Sequence, residues 1–159
     1  MLNTLKKPPP LQVQNWLNTR FTPTLEALVG KVVVVFAFQM LCPGCVLHLI
    51  PQAKRLYDYF DSNEVAVLGL HTVFEHHQAM TEVSLKAFLY EYQVRFPVGI
   101  DKPASAKGDP LPQTMRAYNM QGTPTLLIYD KLGYLRQQKM GHEQDLALGA
   151  QIMSLMKET

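Results

Sequence analysis

Seven consecutive apolar residues at positions 32–38, Val-Val-Val-Val-Phe-Ala-Phe, predict a strand that is buried on both faces. A sheet built around such a strand needs a layer of structure on each side, as in α/β proteins. The run is far shorter than the about 20 apolar residues that a membrane-spanning helix requires. It therefore predicts a central strand inside a folded domain.

Apolar patterns on both sides of this run predict further strands and helices. Apolar residues recur at helical spacing from Val46 to Phe60, and Pro51 is expected to kink that helix because proline removes a backbone hydrogen bond. Further strands are predicted at residues 11–17, 65–70, 96–100, 125–129 and 134–140, and further helices at residues 85–92, 114–119 and 148–156. Helices that connect strands in this way pack on the sheet faces, so we expect an α/β fold with a sheet of about five strands.

The N-terminal residues are expected to lie outside the core. Three successive prolines at residues 8–10 favour an extended chain, so we predict a flexible tail over residues 1–10 and a single domain over residues 11–159. The prolines stand where an export signal would need an apolar stretch of about 7–15 residues. We therefore expect a cytoplasmic protein, or a periplasmic one if a leader has been removed.

The charge balance excludes some classes of partner. Fifteen basic and 13 acidic side chains give a formal net charge of +2 at pH 7. Domains that bind nucleic acid usually carry a basic stripe and a pI above about 9. We therefore expect no nucleic-acid partner. We also expect no membrane insertion, no bound cofactor and a monomer.

Both cysteines of the chain lie in one motif, Cys-Pro-Gly-Cys at residues 42–45, between the buried strand and the long helix. A helix N-terminus carries unpaired N–H groups and a partial positive charge, which favour a thiolate on Cys42. Cys45 follows one helical turn later and can approach Cys42 closely enough for a disulfide. This spacing indicates a dithiol/disulfide couple in which Cys42 attacks a partner disulfide and Cys45 resolves the mixed disulfide.

Three other interpretations of a Cys-x-x-Cys motif stay open: half of a zinc site, a purely structural disulfide, or coincidence. Zinc needs four ligands, usually from a second cysteine pair or from closely spaced histidines. Of the five histidines only His76 and His77 are close in sequence, and adjacent residues rarely reach one metal ion. We therefore expect no metal site.

A second motif, Gly-Thr-Pro-Thr at residues 122–125, precedes an apolar strand. The buried strand, the cysteine motif, the kinked helix and this later motif together resemble the thioredoxin fold over residues 16–156. Within that fold the chain is similar to the TlpA/ResA/DipZ-type thiol-disulfide oxidoreductases of the AhpC/TSA and redoxin-like superfamily. Residues 25–34, 69–72, 96–98 and 118–124 carry this likeness.

The resemblance implies a three-layer fold with a central mixed sheet, a thiol-disulfide oxidoreductase activity, and a protein or small-molecule disulfide as substrate. It implies that Pro124 follows a cis peptide bond and faces the sulfur atoms, and that the backbone of Thr123 pairs with an extended partner peptide. The site residues expected from the motif and the resemblance are Cys42, Cys45, Pro124 and Glu75 for catalysis, and Thr123, Met40, Pro43 and Gly44 for substrate binding.

The chain also differs from thioredoxin at several positions. Phe36 and Leu41 replace the buried aspartate and the tryptophan of that family, the motif reads Pro-Gly instead of Gly-Pro, and Pro51 comes one residue later than usual. Glu75 is a candidate replacement for the missing acid and would accept the proton that leaves Cys45; the alternative is a solvated loop glutamate. His71 is a candidate for tuning the thiols, whereas His48 is expected on the helix surface.

Two other functions remain as alternatives. A peroxiredoxin-like peroxidase shares the fold, but it normally has threonine three residues before its reactive cysteine, where this chain has Gln39. A copper-chaperone-like module would use both thiolates and one histidine, for which His142 is the candidate late in the chain.

Overall fold

The computed structural model of the protein describes residue 5 and residues 7–159. The strands are β1 (Val13–Leu17), β2 (Val32–Phe38), β3 (Val65–His71), β4 (Val98–Asp101), β5 (Thr125–Tyr129) and β6 (Leu135–Met140). The helices are α1 (Ile50–Tyr59), α2 (Glu82–Glu91), α3 (Gln113–Ala117) and α4 (Asp145–Lys157), and a π-helical turn at Cys45–Leu49 leads into α1.

The described residues form one mixed sheet of six strands in the order β1-β4-β3-β2-β5-β6. β2, β3 and β4 run parallel, while β1, β5 and β6 are each antiparallel to the neighbouring strand. This confirms the predicted α/β fold, although the strand count is six instead of about five. Each of the six strands predicted along the chain has a counterpart in this sheet, and the N-terminal one pairs with β4 as an edge strand.

The central strand β2 divides two apolar layers. The side chains of Val32, Val34, Phe36 and Phe38 pack with residues from α1, α2 and α4. Those of Val33, Val35 and Ala37 face the opposite layer, to which α3 and the turn near Leu25 contribute. Every residue of β2 is buried, as its uninterrupted apolar sequence predicts for a strand covered on both faces.

The helix that follows the cysteine motif is irregular at its start. Helical backbone begins at Pro43, and the Ile50 N–H donates to the Cys45 carbonyl, five residues earlier. Pro51 is the second residue after this π-helical turn and has no N–H to continue the hydrogen-bond pattern. The distortion expected at Pro51 therefore takes the form of a widened turn between Cys45 and α1.

The predicted tail is partly outside the described residues, since residues 1–4 and 6 are not among them. Nearer the domain, the Pro9 carbonyl accepts a hydrogen bond of 2.6 Å from the Tyr118 hydroxyl. In the part of the chain that the structure describes, no helix combines the length and the apolar character needed to cross a membrane.

Candidate redox site

Cys42 lies in the turn between β2 and the π-helical segment. Its N–H donates to the Gln39 carbonyl at 3.0 Å, and its own carbonyl accepts from the Val46 N–H at 3.0 Å. The side chain is half-buried, and both cysteines are free thiols. Cys42 therefore precedes the first helical residue and still reaches the surface, as a helix-capping residue that can meet a partner.

Cys45 is fully buried at the start of the π-helical turn and close to Cys42. Burial, together with the neighbouring Cys42 thiol, raises the pKa of Cys45 to about 12, against the smaller opposing effect of a hydrogen bond from the Gln39 backbone. Its thiol is thus protonated at neutral pH and reaches no partner in solution. The two sulfur atoms have different environments, one accessible and one enclosed.

The loop before β5 covers the cysteine pair from the other side. The Thr123–Pro124 peptide bond is cis, and the Thr123 carbonyl lies 3.6 Å from the Cys42 Sγ, close enough to accept its thiol proton. The Pro124 ring also lies over the start of the helix, since a Cβ placed on Gly44 would be 3.5 Å from the Pro124 Cδ. The structure thus brings Cys42, Cys45, Gly44, Thr123 and Pro124 together.

Glu75 is exposed in the loop that follows β3. Its Oε1 accepts a hydrogen bond of 3.4 Å from the Gln39 Nε2, and the same Nε2 lies 3.4 Å from the Thr123 Oγ1. The carboxylate therefore sits at the edge of the site and is connected to it through Gln39.

His71 is a buried imidazole at the end of β3. Its Nε2 accepts a hydrogen bond of 3.1 Å from the Met40 N–H, two residues before Cys42. Burial lowers the pKa of His71 to about 4, so the ring is neutral at physiological pH and available as an acceptor. Its ring also packs at 5.1 Å from that of Phe38. The structure thus places His71 behind the turn, where it orients the backbone that leads to Cys42.

The remaining histidines lie on the surface. The rings of His48 and His142 are 5.3 Å apart, and the His77 Nε2 lies 3.1 Å from the Pro110 carbonyl. Among the described residues, no three side chains of the types that bind metals are grouped closely enough to hold an ion.

Several apolar side chains in and near the cysteine motif are exposed. Leu41 and Leu47 are 53% and 68% exposed, and Pro43 is also exposed. Met140, which is 59% exposed, extends this surface toward the loop that precedes β5, since its Sδ would lie 3.5 Å from a Cβ on Gly122. Met40 is half-buried and packs against the core. These residues form a mostly apolar rim next to the cysteine motif.

Residues 6–138 match the model of the AhpC/TSA family. The chain belongs to this family. A crystal structure of a thioredoxin-like superfamily protein, 54% identical, superimposes with a TM-score of 0.92 over 96% of this chain and 97% of its own. A thiol-disulfide isomerase from Corynebacterium glutamicum, 44% identical, has the same TM-score over 99% of this chain and 100% of its own.

Among curated relatives of this AhpC/TSA-family protein is the thiol-disulfide oxidoreductase ResA of Bacillus cereus, which is 26% identical over 75% of this chain. The chain spans 12% and 60% of the lengths of the first curated relatives it matches. These comparisons confirm the resemblance to ResA-type proteins of the thioredoxin fold.

Gln39, which occupies the position where a peroxidase has threonine, belongs to the site although the sequence does not predict it there. In the structure Gln39 is 1% exposed, and its Oε1 accepts a hydrogen bond of 3.1 Å from the Phe74 N–H. The only sequence signal is a polar residue that directly follows seven apolar ones, three positions before Cys42.

Proposed function

We propose that this protein is a thioredoxin-like thiol-disulfide oxidoreductase that acts in cell redox homeostasis, with Cys42 and Cys45 as its redox couple. The observation that carries the proposal is the pairing of a half-buried Cys42 at the start of a helix with a fully buried Cys45 next to it, under the cis-Pro124 loop. The names of the relatives in Corynebacterium glutamicum and Bacillus cereus support it.

In the proposed reaction the Cys42 thiolate attacks a disulfide of the partner. A bond forms between the Cys42 Sγ and one partner sulfur, the partner S–S bond breaks, and the departing sulfur takes a proton. Cys45 then loses its proton and attacks Cys42, which forms the Cys42–Cys45 disulfide and releases the second partner sulfur as a thiol. One protein dithiol and one partner disulfide thus yield one protein disulfide and two partner thiols.

The second step requires that the buried Cys45 lose its proton, which its raised pKa of about 12 opposes. We propose that Glu75 is the acid-base residue for this step. Its carboxylate is linked to the site through Gln39, which donates to it and whose backbone also contacts Cys45. The arrangement supports Glu75 as the proton acceptor that the chain has in place of the thioredoxin aspartate.

The substrate proposed is a protein disulfide in an extended segment, with small disulfides as poorer substrates. An extended peptide would pair with the Thr123 backbone beside Cys42, while Met40, Pro43 and Gly44 would contact its side chains. The exposed Leu41, Leu47 and Met140 favour a protein partner, since apolar rims of this kind recognise apolar segments. The cytoplasmic or periplasmic location stays a prediction.

The proposal is tested by incubating the protein with glutathione buffers of different redox ratio and alkylating the remaining thiols. If the two cysteines form a two-electron couple, the fractions of free Cys42 and free Cys45 should be equal at every ratio and should change together. Cys42→Ser should abolish the reduction of a protein disulfide, whereas Cys45→Ser should accumulate a mixed disulfide at Cys42. Undiminished reduction by Cys42→Ser would contradict the assignment of the nucleophile.

A further inference from the structure

Gln39 is the one fully buried side chain whose contacts, within the described residues, join the cysteine turn, the Glu75 loop and the Thr123 loop. We propose that Gln39 is a positioning residue that holds the Thr123 loop and Glu75 against the cysteine pair and thereby sets the reduction potential of the couple. This inference rests on the proposed function.

The backbone of Gln39 is part of the cysteine turn. Its carbonyl accepts a hydrogen bond of 3.0 Å from the Cys42 N–H. This backbone contact helps to fix the turn at Cys42, whatever side chain residue 39 carries.

The side chain of Gln39 adds contacts to the two neighbouring loops. The Phe74 N–H donates to the Oε1 at 3.1 Å, which fixes the orientation of the amide, because the reversed amide would place two donors against each other. The Nε2 therefore faces the acceptors, Glu75 Oε1 and Thr123 Oγ1, each at 3.4 Å. One oriented amide connects three loops.

The contact with Thr123 affects the two redox states differently. The Thr123 carbonyl lies 3.6 Å from the Cys42 Sγ and accepts the thiol proton. This hydrogen bond exists only in the dithiol, because the disulfide has no S–H. Holding the Thr123 loop in place therefore stabilises the dithiol, and releasing it shifts the equilibrium toward the disulfide.

The experiment compares Gln39→Met with Gln52→Met. Gln52 is equally buried at 1% exposure, but its amide donates to the Glu143 carbonyl and to Asp145, outside the cysteine site. The equilibrium constant with glutathione is measured for both variants and for the unchanged protein. Gln39→Met is expected to shift this equilibrium constant about 2- to 12-fold toward the disulfide, which corresponds to the free energy of one hydrogen bond. Gln52→Met should change the constant by less than about twofold, because the contacts of Gln52 lie outside the site.

A second pair of variants tests the route through Thr123. Thr123→Val removes the Oγ1 that faces Gln39 and retains the shape of the side chain. It should shift the equilibrium in the same direction, and the double variant with Gln39→Met should show no more than the larger single shift. If Gln39→Met fails to fold, Thr123→Val alone still tests the inference. An equilibrium that is unchanged in Thr123→Val, or that shifts toward the dithiol, refutes it.

The outcomes separate this inference from the proposed function. If the unchanged protein shows no reversible Cys42–Cys45 couple, the function itself is wrong. If the couple is normal but Gln39→Met shifts it no further than Gln52→Met, or if the two site variants simply add, only the role of Gln39 is refuted.

Discussion

At the scale of single residues, the site depends on polar groups that are buried but still hydrogen-bonded. Within the described residues, every buried side-chain nitrogen or oxygen has a hydrogen-bond partner. The buried side chains of His71 and Gln39 each accept a hydrogen bond from a backbone N–H of a neighbouring loop and thereby fix that loop. Burial of such groups costs free energy unless the hydrogen bonds form, so each favours one arrangement of the cysteine turn.

The low pKa of His71 predicts a loss of stability in mild acid. The folded pKa of about 4 lies below the unfolded value of about 6.5, so the unfolded chain binds more protons between these two values. The stability that the neutral ring contributes is present above about pH 6.5 and is lost as the pH falls toward 4. We expect the free energy of unfolding to fall by about 2 kcal/mol between pH 7 and pH 5 through this group.

Denaturant unfolding at both pH values measures this effect. His71→Gln should remove most of the decrease, because glutamine accepts the Met40 N–H without titrating. His77→Gln, at an exposed imidazole, should retain the full pH dependence. An unchanged pH dependence in His71→Gln would show that another group is responsible.

At the scale of elements, apolar runs were the most reliable predictors. The strands at 32–38 and 125–129 were predicted at their observed bounds, because residues buried on both faces leave an uninterrupted apolar sequence. The N-terminal strand was predicted, but its place in the sheet was not, because pairing of residues 13–17 with β4 depends on residues distant in sequence. The π-helical turn was not predicted, since apolar spacing over one turn does not separate it from an α-helix.

The network of Gln39 could not be predicted for a similar reason. Its side chain contacts residues 36 and 84 positions away, and neither separation leaves a periodic signal. The cysteine motif and the proline motif were visible because each is local and has a recognisable form. Sequence therefore indicated which loops form the candidate site, while the contacts between those loops required the fold.

Replacing either of two glycines in different elements by alanine should change the stability of the protein in opposite directions. A Cβ on Gly69 in β3 would lie 3.0 Å from the Val98 Cγ2 and 3.2 Å from ring atoms of Phe38 and Phe96, so Gly69→Ala should destabilise by about 1–3 kcal/mol. A Cβ on Gly149 in α4 would meet no atom within 4 Å apart from its chain neighbours and the backbone of its own helix, so Gly149→Ala should stabilise by about 0.5–1 kcal/mol. Urea unfolding of both variants measures the two changes, and a shared sign would contradict this description of the packing.

At the scale of the whole molecule, the three layers place one accessible and one enclosed sulfur at the same edge of the sheet. β2 and β3 run parallel and end beside each other, so the cysteine turn, His71 and the Glu75 loop meet there. The buried Cys45 is reached from Cys42 and not from solution. The fold thus favours resolution of a mixed disulfide within one chain over resolution by a second molecule.

This arrangement predicts that oxidation is independent of protein concentration. After Cys42 forms a mixed disulfide with glutathione, attack by Cys45 of the same chain should proceed at one first-order rate over a wide range of concentration, leaving a monomer with an internal disulfide. Mass spectrometry of acid-quenched samples follows the mixed disulfide, and non-reducing electrophoresis detects linked chains. Cys45→Ser should retain glutathione and form linked chains only slowly, whereas Cys42→Ser should acquire little glutathione because its remaining thiol is enclosed. A rate that rises in proportion to concentration, or prompt formation of linked chains by the unchanged protein, would show that the resolving sulfur comes from a second molecule.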